Sequence, residues 1–428
     1  MLIEFSVGNY RSFKKKVTFS MVAAGLVSKD RSTDERNVFA VDEELDLLKS
    51  AAIYGANASG KSNLASALTF MKWFIVNSSR DTQSTDQIDI DPFRLSTETK
   101  KEPSFFEIAF VLEEKKYRYG FEVTRNRVIS EWLYYVPQKR ETKLFERDLD
   151  SISAIKVYGA DGIEKRTRHN ALFLSVSAQF NVEIAERILG WITEKLSVIS
   201  GLDDRDYQDY TIKCLIENKN KNEILDLIKK LDFGIDDIEV NQTDFTSNFS
   251  HESMSERQKD ELAKPSSVKA TIVRAKHRKF GENGKFISGE MFDLAEESEG
   301  TQKVFALSGP LVGTLKGGKT LVIDEFDARL HPFISRVIVE LFNSNDANPS
   351  NAQLVFMTHD TNLLDNRLFR RDQIWFVEKD RTGATDLYSL AEYKGVRNDS
   401  TYEKDYIKGR YGAVPYIGDI DRIVSLHD

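Results

Sequence analysis

The chain has 428 residues, 40% of them apolar and 30% charged, with a formal net charge of −8 and a single cysteine. This composition suits a globular protein of two or three domains, and the lone Cys214 excludes an internal disulfide framework, a cysteine-rich zinc site and a dithiol redox centre, which makes a reducing cytoplasm the expected setting. The acidic balance excludes a surface given over wholly to nucleic-acid phosphates, and without an apolar run of roughly 18 residues or a basic-then-apolar leader, neither a membrane span nor export is expected.

In chain order, Leu2 to Val7 alternates as a strand does, and Asn9-Tyr10-Arg11-Ser12-Phe13 turns it into a second strand over Val17 to Met21. Ser50 to Tyr54 is a short apolar strand that runs into a glycine loop, and Asn63 to Val76 has helical character. After a polar loop ending at Asp91-Pro92-Phe93, the segments Ser104 to Leu112, Tyr117 to Thr124 and Val128 to Val136 alternate as an antiparallel meander attached to the first strands.

From Ala171 to Leu231 the period becomes helical, clearest over Val182 to Val198 and Lys221 to Leu231. A coiled-coil arm reaching about 100 Å needs roughly 67 residues in each direction, and the breaks at Gly201 to Asp204 and Asp232 to Gly234 forbid it. Asn241 to Ser267 is polar and poor in aromatics, which suits a linker. Regular structure resumes at Val268, and strands then alternate with helices, as in a parallel sheet covered on both faces. The expected division is an N-terminal lobe over 1–150, a mainly helical insertion with its linker over 151–267, and a C-terminal lobe over 268–428.

The chemistry sits in two distant places. Gly55-Ala56-Asn57-Ala58-Ser59-Gly60-Lys61-Ser62, followed by Asn63, is a phosphate loop between a strand and a helix: its glycines let backbone N–H groups converge on phosphate at a helix N-terminus. Lys61 is expected to reach the β and γ phosphates of ATP, and the Ser62 hydroxyl to ligate Mg²⁺. Far downstream, Leu321-Val322-Ile323 reads as a buried strand ending in Asp324 and Glu325, the Walker B pair. Asp324 is placed in the Mg²⁺ shell and Glu325 is the general base for the attacking water. A further apolar strand, Gln353 to Met357, delivers Thr358-His359-Asp360 to the same edge, which makes His359 a candidate contact of the γ phosphate.

This order of motifs, with Glu297-Ser298-Glu299-Gly300-Thr301-Gln302-Lys303 in the signature position, resembles the ABC-type ATPase heads of chromosome-maintenance, double-strand-break repair, RecF-like and OLD-like proteins. The opening L-I-E-F-S-V-G-N-Y-R-S-F, the run D-E-F-D-A-R-L-H-P and the stretch R-R-D-Q-I-W-F-V-E-K-D resemble more closely the RloA and AbiL-type ATPases of bacterial abortive-infection and restriction-linked loci. The resemblance implies an α/β P-loop NTPase of ABC/SMC-head type, with a mixed sheet, an antiparallel β subdomain and a helical insertion. It also implies a homodimer or higher homo-oligomer with composite sites, in which ATP held by Lys61 and Ser62 of one copy is capped by Ser298 and Gly300 of another. Arg11 reaches the nucleotide in this picture, although a surface salt bridge explains it equally well. Leu307-Ser308-Gly309-Pro310 is the weaker signature candidate because proline opposes a helix start there.

The sequence departs from the transporter pattern in two ways. His331 stands where those proteins carry the D-loop aspartate, and the Q-loop glutamine is unassigned, with Gln83 and Gln87 in a suitable connection. Only residues 360–428 follow His359, too few for the nuclease domain that OLD-like proteins append. The functional expectation is therefore an ATPase that serves as sensor or switch in an antiphage system and controls a separately encoded nuclease or toxin. The alternative is a DNA repair or chromosome-maintenance ATPase that binds DNA on the closed dimer through Arg274 to Lys279, a stretch that is otherwise a solvated face. A GTPase is disfavoured because no N/T-K-x-D element follows the phosphate loop. Tyr406 to Pro415 is a place for partner docking or nucleotide closure, or else a surface loop, and Asp419-Ile420-Asp421 is read as surface charge.

Overall fold

The computed structural model describes residues 1–231, 234–244, 269–396 and 401–415. Its chain forms two compact units, Met1–Leu202 with Thr314–Asp428, and Asp203–Gly313. The boundaries expected at 150 and 267 are displaced, for a reason visible in the core. The helices after residue 171 bury Phe173, Ile188 and Trp191 in the same core as the strand residues Phe110 and Phe145, and Trp191 stacks on Phe110 at 4.2 Å. Most of the linker expected over 241–267 and the acidic pair Asp419 and Asp421 lie outside the described residues.

The first unit begins with β1 (Leu2–Gly8), β2 (Val17–Ser20), α1 (Arg31–Asn37), β3 (Val38–Ala40), β4 (Asp46–Leu48), β5 (Ser50–Tyr54) and α2 (Lys61–Asn77). The meander follows as β6 (Ser104–Leu112), β7 (Lys115–Val123), β8 (Val128–Val136), β9 (Thr142–Asp148) and β10 (Ser151–Ala154), and then α3 (Phe173–Gln179), α4 (Glu183–Glu194) and β11 (Leu196–Ser200). The second unit holds α5 (Arg205–Ile216), α6 (Lys221–Leu231), β12 (Ile235–Asp244), β13 (Lys269–Phe280), β14 (Phe286–Asp293) and most of α7 (Glu299–Gly317). The first unit then resumes with β15 (Thr320–Asp324), α8 (Pro332–Asn343), β16 (Gln353–Met357), β17 (Ile374–Lys379), β18 (Thr385–Ser389) and α9 (Tyr402–Ile407).

Two sheets build the first unit. The antiparallel sheet runs β10-β9-β8-β7-β6-β1-β2, so the meander joins the opening hairpin as its period-2 pattern predicts. Its inner face presents Phe106, Tyr119, Phe121 and Leu133, which share a core with Leu64, Leu68, Met71 and Phe74 of α2. The other sheet runs β11-β15-β16-β5-β17-β18, parallel throughout except for the edge strand β18. Strands β5 and β16 are buried at every position, which explains why they read as continuous apolar runs rather than alternating ones. One strand of this sheet departs from expectation: the helical pattern expected over Val182 to Val198 stops short, because the helix ends at Glu194 and Leu196–Ser200 adds a parallel edge to β15. One buried and four half-buried residues after an amphipathic helix carry too little periodicity to separate the two states.

In the second unit, α6 packs on a three-stranded antiparallel sheet, β12-β13-β14, through Ile224, Ile228 and Ile238. Pro310 lies inside α7, with no N–H to bond the Ala306 carbonyl. The Thr211 hydroxyl of α5 lies 2.8 Å from that carbonyl, and a Cβ on Gly309 would fall 2.4 Å from the same oxygen. Leu307 to Pro310 is therefore a buried mid-helix contact rather than a signature.

The antiparallel sheet also contains a buried charge. Glu131 accepts from Phe173 N at 2.6 Å, Leu174 N at 2.9 Å and the Tyr119 hydroxyl at 3.0 Å, which caps α3, and it faces Arg147 at 3.9 Å. Burial pushes the Glu131 carboxyl up from its ordinary value, while Arg147 and the three donors oppose the shift. Removing either partner strands the other charge in the core. Glu131→Ala is expected to cost roughly 3–5 kcal/mol in a urea titration, with the Glu131→Ala/Arg147→Ala double variant losing less than the sum of the two single losses.

Candidate functional site

The phosphate loop is shaped by contacts that reject side chains. A Cβ on Gly55 would lie 2.4 Å from the Val377 carbonyl, and one on Gly60, whose φ is +117°, would lie 2.6 Å from Thr385 Oγ1 and 2.8 Å from Ser12 Oγ. Those two neighbours are also the loop's supports: Thr385 Oγ1 donates to the Ser59 carbonyl at 2.7 Å, and Ser12 Oγ accepts from Asn63 Nδ2 at 2.7 Å. Asn63 is thus committed to the wall of the loop. Ala56, Asn57 and Ala58 remain open to solvent in part or in full, with Ala58 at φ +60°, and α2 begins at Lys61 with no acidic residue in its first turn to compete for an anion.

Lys61 is buried, and its Nζ donates to the carbonyls of Gly55 at 2.8 Å and Ala56 at 3.2 Å. Desolvation lowers its pKa from the ordinary lysine value, opposed by the charges of Glu325, Asp324 and Asp327. That opposition places the Walker B carboxylates within electrostatic reach of the loop lysine. Pairing in the parallel sheet is responsible, with β16 between β5 and β15 so that all three strands release their chains at one edge.

At that edge Asp324 Oδ1 is buried and has no hydrogen-bond partner among the described residues. Ser200 pairs with Asp324 in register, and Gly201 N donates to the Asp324 carbonyl at 2.6 Å. Glu325 follows with φ +53°, a left-handed conformation unusual for glutamate that turns the chain sharply at the proposed base. Ser62 and Asp324 line one cavity of about 460 Å³, together with Arg11, Asp89, Asp91 and Ser200. Both readings of Arg11 find geometry here, since its side chain lines the cavity and stands 3.9 Å from Asp91. Gln83 and Gln87 are not on this cavity; Gln87 Nε2 lies 3.5 Å from Asn126 Oδ1, and the connection that carries them contributes Asp89 and Asp91 to the lining instead.

His359 projects into solvent from a braced turn. Asp327 Oδ1 accepts from Thr358 Oγ1 at 2.6 Å and from His359 N at 3.2 Å, and Thr358 Oγ1 accepts from Asp360 N at 3.0 Å. Asp327 was not among the candidate residues, although it stands just after the Asp324-Glu325 pair. His331, in the D-loop position, caps α8 by accepting from Phe333 N at 3.1 Å. Ser298 and Gly300 belong to the second unit, where Ser298 Oγ accepts from Thr301 N at 3.1 Å and starts α7, so E-S-E-G-T-Q sits at a helix N-terminus. Tyr406 and Tyr411 pack on Phe376 at 5.4 and 5.7 Å, so the first part of the Tyr406 to Pro415 segment is core rather than a free loop.

Asp327→Ala removes an acceptor from both Thr358 and His359 and is expected to cost about 1–3 kcal/mol in chemical denaturation, whereas Asp327→Asn keeps an oxygen acceptor and is expected to lose less than half as much.

Among the described residues no helix is long and apolar enough to cross a membrane. No curated protein matches the chain. Among solved structures it is similar to the SMC head domain from Thermotoga maritima at 12% identity over 91% of this chain and 98% of that one, with a TM-score of 0.39. It is similar to the SmcHead bound to the C-winged helix domain of ScpA at 13% identity over 91% and 97%, with a TM-score of 0.43. Similarity to the recombination mediator protein RecF-ATP is 15% identity over 90% and 97%, with a TM-score of 0.35. The parallel sheet with its phosphate loop leading into α2, and the antiparallel β sheet in the same unit, make the fold that of a P-loop NTPase. Residues 50–365, from the first residue of β5 to beyond His359, match the family described as "AAA domain, putative AbiEii toxin, Type IV TA system", and the chain belongs to that family.

Proposed function

We propose that the chain is a Mg²⁺-dependent ATPase that acts as the switch subunit of a bacterial antiphage system related to the RloA and AbiL-type ATPases. The observation that carries the ATPase reading is the convergence of Lys61, Ser62, Asp324 and Glu325 at one edge of the parallel sheet, with a buried Asp324 oxygen that has no partner among the described residues. An unpaired carboxylate oxygen and an exposed serine hydroxyl on one cavity fit a hard cation that takes oxygen ligands. Mg²⁺ held there by Ser62 and Asp324 would neutralise phosphate charge during phosphoryl transfer.

The protein's own groups supply the remaining steps. The N–H groups of Ala56 to Ser62 and the α2 N-terminus hold the phosphates, and Lys61 turns its ammonium from the Gly55 and Ala56 carbonyls toward the β and γ oxygens. Glu325 takes a proton from the attacking water as the bond from γ-phosphorus to the bridging oxygen breaks, and His359 contacts the γ phosphate from the turn braced by Asp327. Ser298 and Gly300, at the N-terminus of α7, cap the nucleotide of a second copy, which makes ATP the glue of a homodimer. Hydrolysis then reopens the pair.

The family description, which names a putative toxin and a toxin–antitoxin system, supports placing this switch in abortive infection; a separately encoded nuclease or toxin as effector and a cytoplasmic setting complete the proposal and rest on the sequence alone. The alternative of duplex binding through Arg274 to Lys279 is the weaker reading, because most of these cations already have acidic neighbours. On β13 three of these cations face carboxylates, Arg274 at 2.8 Å from Asp293, Arg278 at 2.9 Å from Asp236 and Lys279 at 2.6 Å from Glu290, while the His277 ring lies 2.7 Å from Glu297.

Lys61→Ala is expected to abolish ATP binding in equilibrium titration. Glu325→Gln is expected to retain binding, to lose about 10²–10⁴ of turnover and to accumulate as an ATP-bound dimer in size-exclusion chromatography. Wild-type hydrolysis by Glu325→Gln would reject the base assignment, and a strictly monomeric ATP-bound form would reject the composite site.

A further inference from the structure

We propose that a second cavity, separate from the phosphate loop, is a binding site for a phosphate-bearing ligand. It lies between the segment before β6 and the turn joining β7 to β8, has a volume of about 580 Å³, and does not include any residue of the loop from Gly55 to Asn63. That volume is in the range of small-ligand sites, about 300–1,000 Å³. Arg94, Lys100, Lys101 and Arg125 line it against the single acid Glu102, and buried Ile90 and Val123 give it an apolar floor. A chain of net charge −8 has thus gathered four cations on one concavity. Field lines focus in such a cleft and favour an anion.

Two features make this more than a patch of surface lysines. Its walls are fixed from beneath by buried side chains: Asn9 Nδ2 donates to the carbonyls of Thr99 and Glu102, both at 2.8 Å, and Thr99 Oγ1 donates to the Phe93 carbonyl at 2.8 Å. The turn that bears Lys100 and Lys101 is therefore held in place before any ligand arrives, which reduces the ordering cost of binding. The second feature is a shortage of counter-charge. Asp91 pairs with Arg94, stands 3.9 Å from Arg125, and is shared further with Arg11 at 3.9 Å, while Lys100 and Lys101 have no carboxylate partner among the described residues. Arginine forks and a lysine pair around one cavity suit phosphate oxygens.

The same chemistry can come from a small phosphorylated compound or from a nucleic-acid backbone, and titration of the full chain distinguishes them. In a Lys61→Ala background, which silences the phosphate loop, pyrophosphate is titrated by calorimetry and a short fluorescein-labelled oligothymidylate by anisotropy. Pyrophosphate is expected to bind, at least tenfold more weakly in Lys100→Glu/Lys101→Glu and several-fold more tightly in Asp91→Asn, which frees Arg94 and Arg125. Oligonucleotide binding alone, lost in the same lysine variant, would assign the site to a nucleic-acid backbone. Lys100 and Lys101 are exposed, so far-ultraviolet circular dichroism should confirm an intact fold. Absence of binding by either probe, or binding unchanged in the lysine variant, would overturn the site.

Discussion

The parallel register of β15, β16 and β5 is the constraint on which the rest depends. Val322 pairs with Val355 and Val355 with Ala51, so three strands from opposite ends of the chain finish level with one another. Gly55, Asp324 and Thr358 leave the sheet on the same side only because of that alignment. A one-residue slip would turn every side chain of a strand to the other face and separate Lys61 from the carboxylates that act on it.

Such alignment needs fixing at the other end of the strands, and two buried glutamines provide it. Gln353 accepts from Leu2 N at 2.6 Å and donates to the Leu2 carbonyl at 3.0 Å, tying the start of β16 to β1 in the other sheet. Gln373 donates to the Ser50 carbonyl at 2.9 Å and accepts from Asn37 Nδ2 at 2.7 Å at the root of β5. Buried amides are costly unless satisfied, so these sites specify one pairing and penalise others. The site holds two of the buried side-chain atoms that have no hydrogen-bond partner among the described residues, Asp324 Oδ1 and Ser59 Oγ.

Function in this family member rests, in our reading, on incompleteness of a different kind. The phosphate loop, Walker B pair and His359 turn belong to one compact unit, whereas Ser298 and Gly300 open a helix in the other. A nucleotide that joins the two kinds of surface across copies would convert ATP binding into association. Asp91 adds a second point of contact with the environment, because it stands between Arg11 on the proposed nucleotide side and the arginines of the basic cavity.

What the sequence determined by itself was local. The glycine loop, the apolar strand ending in Asp324-Glu325 and the meander follow from spacing, alternation and turn residues, all properties of short stretches. The tertiary structure decided what depends on partners distant in the chain. It made Leu196–Ser200 a strand by giving it β15 to pair with, and it made Ser12 and Thr385 the walls of the phosphate loop by folding both ends of the chain against Gly60. It turned Asp327 into the brace of the His359 turn and paired Arg274, Arg278 and Lys279 with carboxylates from neighbouring strands. The physical reason is the same in each case: a hydrogen bond or ion pair is a property of two groups, and when the second is far away in sequence, only folding shows which it is.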